Sequence, residues 1–379
     1  MPPKKFDITW KADPHTIAKI TILEAYLHAW FQIMGRSMAG QDIVYIDGFA
    51  GPGEYTNHSK GSPIAALDAA KASLELVGQQ WKAGDIHCAF IEADEARFRH
   101  LQGIIGGLEI HKRIKVHSIQ KTFAEGLARL KSGFSRAFTG HCPLFVFIDP
   151  FGATGAPFSS VADILLSPHS EVLINFDADG IARILRAADD AGADTLLNDI
   201  FGDAGWRATL AGATDFNDQC RRLLLTYKQN LRRLPKIGYD FAFEMRSRSG
   251  SLNYFLVFAS QHPLGLEKMK EAMKKVDQTG NYHFSDAHVG QQTLFRFDKP
   301  EDYSPLMFSR FQGKAVTYDV LRDYALNETP FINPKGMLKD MEGKELIIIA
   351  SRDPKRHKGT FNEEKIIRIT FKGGEAHGH

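Results

Sequence analysis

The stretch at 41–54, QDIVYIDGFAGPGE, places an acidic residue and three closely spaced glycines directly after an apolar run. Asp47 ends the run, and Gly48, Gly51 and Gly53 follow it. Glycine lets the backbone approach a bulky ligand and adopt positive φ, and a carboxylate at a strand's end can accept hydrogen bonds from that ligand. The pattern predicts a nucleotide-cofactor loop after a buried strand, although glycines in a turn also serve folding alone.

The second stretch with chemical potential is Asp149, Pro150, Phe151 and Gly152. An exocyclic amine of a planar base is a poor nucleophile because its lone pair is delocalised into the ring. The Asp149 carboxylate and the Pro150 carbonyl can both accept from such an amine, Phe151 can stack on the base, and Gly152 leaves room for it. Holding the amine in line with a sulfonium methyl group would lower the barrier to methyl transfer. The base would have to be unpaired or flipped to reach such a site. The four residues therefore predict methyl transfer to a nucleobase amine; an Asp-Pro turn that only ends a core strand is the alternative.

Both stretches follow apolar runs that alternate with helical patterns. The runs predicted as strands are residues 43–46, 86–91, 114–119, 143–148 and 170–176. Unbroken apolar strands between helices specify a parallel sheet covered on both faces, and ligands bind at the carboxyl ends of its strands. We therefore predict an α/β fold in which Asp47, Glu92, Asp149 and Asn175 gather at one edge of the sheet.

Glu92 ends the second run, where an acidic residue usually binds the ribose hydroxyls of a cofactor. Its distance from the glycine loop exceeds the customary spacing because segment 55–61 is long and a helix follows it, with Ser62 as cap and Pro63 in its first turn. The predicted cofactor-binding residues are Asp47, Gly48, Phe49, Ala50, Gly51, Gly53, Glu92 and Ala93.

An amphipathic helix is predicted ahead of the glycine loop, with Asp13 as its cap and Pro14 at its first position. His15 and Lys19 lie one turn apart on a similar face, from which they could reach toward a ligand. The alternative is that they belong to a solvated helix start.

Residues 177–236 turn helical and charged, which predicts a helical insertion before an antiparallel hairpin around Ser249 and Gly250. Arg232 and Arg233 belong to a basic run on these helices. The run is either a solvated helix face or a groove for a polyanion.

The segment at 298–371 predicts a separate small unit in which short helices precede two strands. The loop between the strands is basic and contains Arg352, Lys355, Arg356 and Lys358. This is the plan of a winged helix-turn-helix, in which the helix near residues 333–341 would lie in a groove of nucleic acid while the loop contacts phosphates. Winged domains also join proteins to one another, so both kinds of partner remain open.

Composition limits the class of protein. The chain has 379 residues, of which 43% are hydrophobic and 24% charged, and its net charge is +2. No run approaches the roughly 18 apolar residues of a membrane span. The start of the sequence carries no apolar signal core, so we expect a cytoplasmic protein. The three cysteines are far apart, which argues against a disulfide framework or a metal site. We predict two domains, at 1–297 (with the insertion at 177–236) and 298–379.

The chain resembles the three-Cys-motif partner proteins over nearly its whole length. The matching motifs are HTIAK at 15–19, YIDGFAGPGEY at 45–55, GSPIAAL at 61–67, FIEAD at 90–94 and FIDPFG at 147–152. The resemblance implies a Rossmann-like class I S-adenosylmethionine-dependent methyltransferase fold with a winged-helix tail. It also implies a partner, the three-Cys-motif protein, which resembles radical S-adenosylmethionine enzymes of DNA lesion repair. The Asp-Pro-Phe-Gly segment separately resembles the tRNA guanine exocyclic-amine dimethyltransferases.

Together these features predict a methyltransferase that uses S-adenosylmethionine and modifies a nucleobase amine in DNA or RNA, with Asp149, Pro150, Phe151 and Gly152 holding the base. The competing hypothesis is a non-catalytic module that delivers nucleic acid to the three-Cys-motif protein. A nicotinamide oxidoreductase is a third possibility, disfavoured because such enzymes have no use for an Asp-Pro-Phe-Gly turn.

Overall fold

The structure, a computed structural model, describes residues 8–186, 191–277, 282–285 and 298–373. The described chain separates into two compact units, the first up to residue 285 and the second from residue 298. The predicted domain boundary between 297 and 298 falls at the edge of a segment that lies outside the described residues. Every described helix is too short or too polar to cross a lipid bilayer.

An eight-stranded sheet forms the centre of the first unit. The strands are β1 (Ile43–Asp47), β2 (Ile86–Glu92), β3 (Ile114–Gln120), β4 (Leu144–Ile148), β5 (Ser170–Phe176), β6 (Tyr239–Arg246), β7 (Leu252–Ser260) and β8 (His283–Ser285). Their order is β3-β2-β1-β4-β5-β7-β6-β8, with β1 to β5 parallel and β7 antiparallel to both of its neighbours. The strand order reverses between β1 and β4, which is the topological switch point of a Rossmann-like sheet.

Helices cover both faces of this sheet. They are α1 (Pro14–Ser37), α2 (Ser62–Val77), α3 (Glu95–Gly106), α4 (Phe123–Gly133), α5 (Ser135–Phe138), α6 (Phe158–Leu165), α7 (Ala178–Arg186), α8 (Ala191–Phe201), α9 (Trp206–Thr209), α10 (Phe216–Arg232) and α11 (Pro263–Met273). On one face α1 packs against α2 and α11, and on the other α4, α6, α7, α8 and α10 share an apolar core with the strands. The sheet is thus an inner layer between two layers of helices.

Burial on both faces explains why the central strands β1, up to Asp47, and β4 are apolar, whereas the edge strand β3 carries the exposed Lys115. Val44 and Ile46 of β1 face the core shared with α4, while Tyr45 between them stacks on Phe145 of β4 at a ring-centroid distance of 6.0 Å. The Phe145 ring in turn packs on Tyr26 of α1 at 5.0 Å. Because neither face meets water, alternation of polar and apolar residues is absent.

Several local predictions are confirmed and one is wrong. The Asp13 side chain caps α1 by accepting from the Thr16 N–H at 2.7 Å, and β6 and β7 form the predicted hairpin, with Gly250 at φ 83° in its turn. Ser62, predicted as the cap of α2, is instead its first helical residue; Gly61 is the cap and makes no side-chain cap bond. Ser62 acts on the Asp47 carboxyl instead, lowering its pKa.

Three helices and a small antiparallel sheet form the second unit. Its elements are α12 (Pro300–Phe311), β9 (Ala315–Val316), α13 (Tyr318–Glu328), α14 (Lys335–Gly343), β10 (Ile347–Ser351) and β11 (Ile366–Phe371). The strand order is β10-β11-β9, and residues such as Met307, Leu321, Met337 and Ile369 fill a core of its own. The predicted helices and two long strands are present, and the two-residue β9 is an addition that the sequence did not indicate.

Candidate functional site

The glycine loop and the Asp-Pro-Phe-Gly turn leave adjacent strands at the same edge of the sheet. Asp47, the last residue of β1, pairs in register with Phe147 of β4, and the Gly48 N–H donates to the Phe147 carbonyl at 2.9 Å. A Cβ placed on Gly155, in the loop after β4, would lie 3.5 Å from the Phe49 ring. The two loops therefore lie side by side at the switch point.

Two glycines of the loop have positive φ but meet different surroundings. Gly51 has φ 63°, and a Cβ added to it would meet no atom within 4 Å, so its outer side is open. Gly53 has φ 88°, and a Cβ there would approach Leu101 Cδ1 to 2.7 Å. Gly53 thus lets the loop pack on α3, while open space remains where a Gly51 Cβ would lie.

The Glu92 carboxylate holds the glycine loop against the end of β2. Its Oε2 accepts from the Gly51 N–H at 2.8 Å, and its Oε1 accepts from the Asp94 N–H at 2.7 Å. Each carboxylate oxygen keeps a further lone pair. Glu92 is buried and Ala93 beside it is exposed. The residue can therefore organise the loop and still accept from a ligand hydroxyl.

Asp47 is fully buried between the two loops. Its Oδ1 accepts from the Phe49 N–H at 3.2 Å, and the Ser62 hydroxyl lies close enough to hydrogen-bond to the same carboxyl group. Burial raises the pKa of Asp47 to about 7; hydrogen bonds from Ser62 and Phe49 oppose this rise, and the charges of Asp149 and Glu92 add to it. A carboxyl group with two such donors keeps acceptor capacity that a ligand at the strand ends can use.

Asp149 is bound by two side chains that lie far from it in sequence. Lys19 Nζ is 2.7 Å from Asp149 Oδ1 and 2.6 Å from Oδ2, and Asn175 Nδ2 donates to the same Oδ1 at 2.7 Å. Lys19 is only 8% exposed, and its ammonium lies 5.4 Å from the centre of the Tyr254 ring. His15 is buried as well and bonds through Nε2 to a backbone carbonyl of β6. The solvated helix start considered for these two residues is therefore wrong.

Asn175 reaches the Asp149 carboxylate, as predicted for the strand ends, and Asp177 adds a polar group that was not predicted. Asn175 Oδ1 is buried and has no hydrogen-bond partner in the described chain. Asp177, directly after β5, accepts from the Gly180 N–H at 2.9 Å, and burial raises its pKa. A Cβ on Gly152, which has φ 94°, would lie 3.9 Å from Asp177 Oδ2. The turn after β4 thus lies beside the end of β5.

An aromatic cluster lies beside the turn. Phe151 is 57% exposed and meets Trp10 edge-on at 5.4 Å, while the Arg97 guanidinium lies 4.9 Å from the centre of the Phe151 ring. Trp10 also meets Tyr55 at 5.6 Å. The sequence analysis included neither Trp10 nor Arg97, since 54 or more residues separate each from Phe151 and no local pattern links them. Pro150, the residue before Phe151, is buried.

Two of the predicted nucleic-acid contacts on α10 have intramolecular partners. Arg232 pairs with the fully buried carboxylate of Asp240, to which Lys228 also binds at 2.9 Å. Arg233 pairs with Asp203 at 3.1 Å. The Arg232 pair fastens α10 to β6, whereas the Arg233 side chain stays largely exposed beside Asp203, where an ion pair contributes little to stability.

Arg356 in the loop between β10 and β11 also has an intramolecular partner. Its guanidinium binds both oxygens of Glu342 at 2.7 and 2.8 Å, and both side chains are largely buried. Burial alone would raise the pKa of Glu342, but hydrogen bonds from Arg356 and the Gly359 N–H lower it. The other predicted contacts of this loop, Arg352, Lys355 and Lys358, are exposed.

Comparison with known proteins returned structural similarity only. No family model and no curated protein matches the chain. An O-methyltransferase from Bacillus cereus in complex with SAH is 11% identical, with a TM-score of 0.34 over 66% of this chain and 82% of that chain. Trm1 from Pyrococcus horikoshii with S-adenosyl-L-methionine is 10% identical, with a TM-score of 0.33 over 72% of this chain and 75% of that chain. The assignment of the fold therefore rests on the strand order and loop positions of this chain itself.

Proposed function

We propose that this chain is an S-adenosylmethionine-dependent methyltransferase that acts on an exocyclic amine of a nucleobase in DNA or RNA. The observation that carries the proposal is the juxtaposition of the glycine loop and the Asp-Pro-Phe-Gly turn on adjacent strands at the switch point of the sheet. Ligands of open α/β sheets bind at this point. The class I methyltransferase fold implied by the sequence resemblance supports the same conclusion.

The residues after β1 and β2 suit a nucleotide cofactor. Gly51 has open space where a Cβ would lie, and Asp47 and Glu92 keep carboxylate lone pairs for the hydroxyls of a ligand. When bound, S-adenosylmethionine supplies an electrophilic methyl group on a sulfonium. Phe49, whose ring stacks on Phe123 at 5.3 Å, would close one side of the pocket.

Asn175 and Asp149 together would orient the acceptor amine. Lys19 and Asn175 already occupy most of the Asp149 lone pairs, whereas Asn175 Oδ1 is free. One amine N–H can donate to Asn175 Oδ1 and the other to the remaining Asp149 lone pair or the Pro150 carbonyl. The nitrogen loses a proton when it gains the methyl group, and Asp149 is placed to accept it. Fixed acceptors of this kind act chiefly by orientation and charge.

The aromatic cluster provides a surface for an unpaired base. Phe151 presents an exposed ring, which Trp10 meets edge-on and over which the Arg97 guanidinium lies. Flipped or single-stranded bases stack on aromatic rings and guanidinium planes. A polymer substrate therefore suits this site better than a free small molecule.

We assign nucleic-acid binding in the second unit to a winged helix-turn-helix. The order of α12, β9, α13, α14, β10 and β11 supports this proposal, in which α14 enters a groove and the β10–β11 loop contacts phosphates. Arg352, Lys355 and Lys358 are the cations of that loop that can reach a backbone phosphate, because they are exposed.

One observation favours the second candidate, a non-catalytic partner of a three-Cys-motif protein. The Lys19 ammonium contacts both oxygens of Asp149 and leaves that carboxylate little capacity for a substrate. A site whose carboxylate is neutralised could retain nucleic acid without methylating it.

Two measurements on the full chain separate the candidates. Isothermal titration with S-adenosylmethionine tests the cofactor pocket, and transfer of a radiolabelled methyl group to total DNA and total RNA tests the reaction. We expect saturable binding and label in one of the two polymers. Binding without label in either polymer, with and without the three-Cys-motif protein, would favour the module, and the absence of binding would contradict the cofactor pocket.

A further inference from the structure

Arg97, the third residue of α3, carries a guanidinium group that contacts two aromatic rings of the candidate site. Its Cζ atom lies 5.0 Å from the centre of the Trp10 ring and 4.9 Å from the centre of the Phe151 ring. A guanidinium that lies over an aromatic ring is held by its flat face, while its five N–H groups lie in its plane and point away from its edge. These contacts therefore leave the donors of Arg97 available to an acceptor beside Phe151.

The structure provides no acceptor for these donors among the residues it describes. Arg97 forms neither an ion pair nor a side-chain hydrogen bond with any of them. The two acidic residues just before it have other partners, since Asp94 accepts from the Arg97 backbone N–H at 2.9 Å and Glu95 pairs with Arg99. An unoccupied fork of N–H groups suits a planar or tetrahedral anion that can accept two hydrogen bonds at once.

The Trp10 segment is fixed by contacts that do not involve Arg97. The Trp10 carbonyl accepts from the Thr56 N–H at 2.9 Å, and Ala12 and Asn57 exchange two hydrogen bonds of 2.7 and 3.0 Å. The guanidinium is therefore not needed to hold this segment on the loop after β1. A neutral residue at position 97 should leave the segment in place, which makes the cation itself open to a test.

We propose that Arg97 binds a phosphodiester group of the nucleic-acid strand whose unpaired base lies on Phe151. This inference rests on the proposed function, in which the site takes a base from DNA or RNA. A nucleotide within a strand has a phosphodiester group on either side of its sugar, so a base on the exposed ring of Phe151 brings the backbone of its strand beside the adjoining guanidinium. Two phosphate oxygens then accept from the fork of Arg97.

The contact defines the class of substrate more narrowly than the base alone. A free base or nucleoside offers the same ring to Phe151 but brings no phosphate to Arg97. Phosphate contacts fix the register and orientation of a strand and carry no sequence information of their own. Arg97 therefore holds the strand, while Asn175 and Asp149 contact the acceptor amine.

The test measures how tightly the full chain binds short, fluorescein-labelled single strands of DNA and RNA of mixed sequence at several salt concentrations. Arg97→Gln should weaken binding about tenfold and reduce the slope of log K against log salt by about 0.7, the effect of losing one phosphate contact to a single strand. Arg97→Lys keeps the charge without the fork, so it should retain the slope and recover only part of the affinity.

Two controls separate this role from others. Arg99→Gln removes the same charge two residues further along α3, at an exposed side chain that pairs with Glu95, and it should change neither affinity nor slope. Isothermal titration with S-adenosylmethionine should give the same Kd for the wild type and for Arg97→Gln. Thermal unfolding of each variant shows whether its fold is intact.

Several results would overturn the proposal. They are a salt slope that Arg97→Gln leaves unchanged, equal weakening by Arg97→Gln and Arg97→Lys, and no binding of either strand by the wild type. A tenfold weaker affinity of Arg97→Gln for S-adenosylmethionine would assign the arginine to the cofactor instead. Failure of the proposed function differs from all of these, because the wild type would then bind no S-adenosylmethionine or transfer no label, whatever the strand-binding results are.

Discussion

Asp149 shares its carboxylate between a buried ammonium and a neighbouring amide, and this arrangement determines what it can do. The Lys19 charge keeps the carboxylate in the site at little electrostatic cost, because a buried ion is stabilised by a hydrogen-bonded counter-ion. Asn175 fixes its orientation through Oδ1. Lys19 therefore positions the Asp149 carboxylate, while Asn175 and Asp149 contact the acceptor amine.

Replacing Asp149 tests whether its carboxylate contacts the acceptor amine, and it leaves the residues of the glycine loop unchanged. Asp149→Ala should lower the rate of methyl transfer by about 10²- to 10³-fold, the effect of losing one preorganised polar group, while the Kd for S-adenosylmethionine changes less than about threefold. Single-turnover transfer and isothermal titration measure the two quantities. Asp163→Ala removes an exposed carboxylate of α6 that pairs with Lys131, and it should change neither. Undiminished transfer by Asp149→Ala would exclude Asp149 as a partner of the amine.

The raised pKa of Asp47 makes stability depend on pH. Its folded value of about 7 exceeds the ordinary 3.8, so between these limits the folded chain keeps a proton that the unfolded chain has lost. The free energy of unfolding must then fall as pH rises through this window. From pH 5 to pH 8 the wild type should lose about 2–3 kcal/mol more than Asp47→Asn, which has no proton to lose.

Denaturant unfolding of both proteins at the two pH values measures this difference. Asp163→Asn, at an exposed position, should follow the wild type. If Asp47→Asn shows the same loss of stability as the wild type, the Asp47 carboxyl does not hold a proton in the folded state.

Among the secondary-structure elements, those that depend on a local residue pattern were predictable from the sequence. Strands β1, β2, β4 and β5 were predictable because buried apolar residues dominate them, and the Asp13 cap and the Gly250 turn were predictable from residue type. Strands β8 and β9 were missed because three and two residues are too few to show a period. They form only where neighbouring strands offer hydrogen bonds.

Contacts between distant elements were not predictable from the sequence. The pairing of Lys19 with Asp149 joins α1 to the turn after β4 across 130 residues. The pairing of Arg232 with Asp240 shows the same limit, since a basic run on α10 has the same pattern whether it faces solvent or a buried carboxylate. Local charge patterns therefore overstate the number of cations available to a polyanion.

Arginine and lysine in the β10–β11 loop should behave differently on substitution. Arg356→Ala leaves Glu342 without its bidentate partner and should destabilise the second unit by about 2–3 kcal/mol. Lys355→Ala should leave its stability within about 0.5 kcal/mol but reduce the slope of log K against log salt by about one for duplex binding. Thermal unfolding and titration of duplex DNA and RNA at several salt concentrations separate the two effects.

The control for these two variants is Lys344→Ala. Lys344 is an exposed lysine at the end of α14 that pairs with Asp340 at 2.9 Å. It should change stability little, as most exposed pairs do. A salt slope that is unaffected by Lys355→Ala would remove this loop from the proposed interface.

In the whole molecule, each of the two units has a core of its own. In the first unit, α1 contributes residues at both ends of the strands of the sheet. The start of α1 delivers Lys19 to Asp149, and its middle delivers Tyr26 and Trp30 to a cavity beside Glu171. Both sets of contacts place α1 against α2, α11 and the strands. The glycine loop, Glu92 and the turn after β4 remain together only because that layered arrangement fixes the ends of β1, β2 and β4.

A crystal structure of the full chain grown with S-adenosylhomocysteine would show whether these strand ends form one cofactor site. We expect density for the ligand at the carboxyl ends of β1 and β2, with its ribose hydroxyls at the Glu92 carboxylate, its chain along Gly51, and its sulfur on the side of Asp149 and Asn175. Density for the ligand at any other place on the molecule, or a ligand at these strand ends with its sulfur turned away from Asp149, would contradict it.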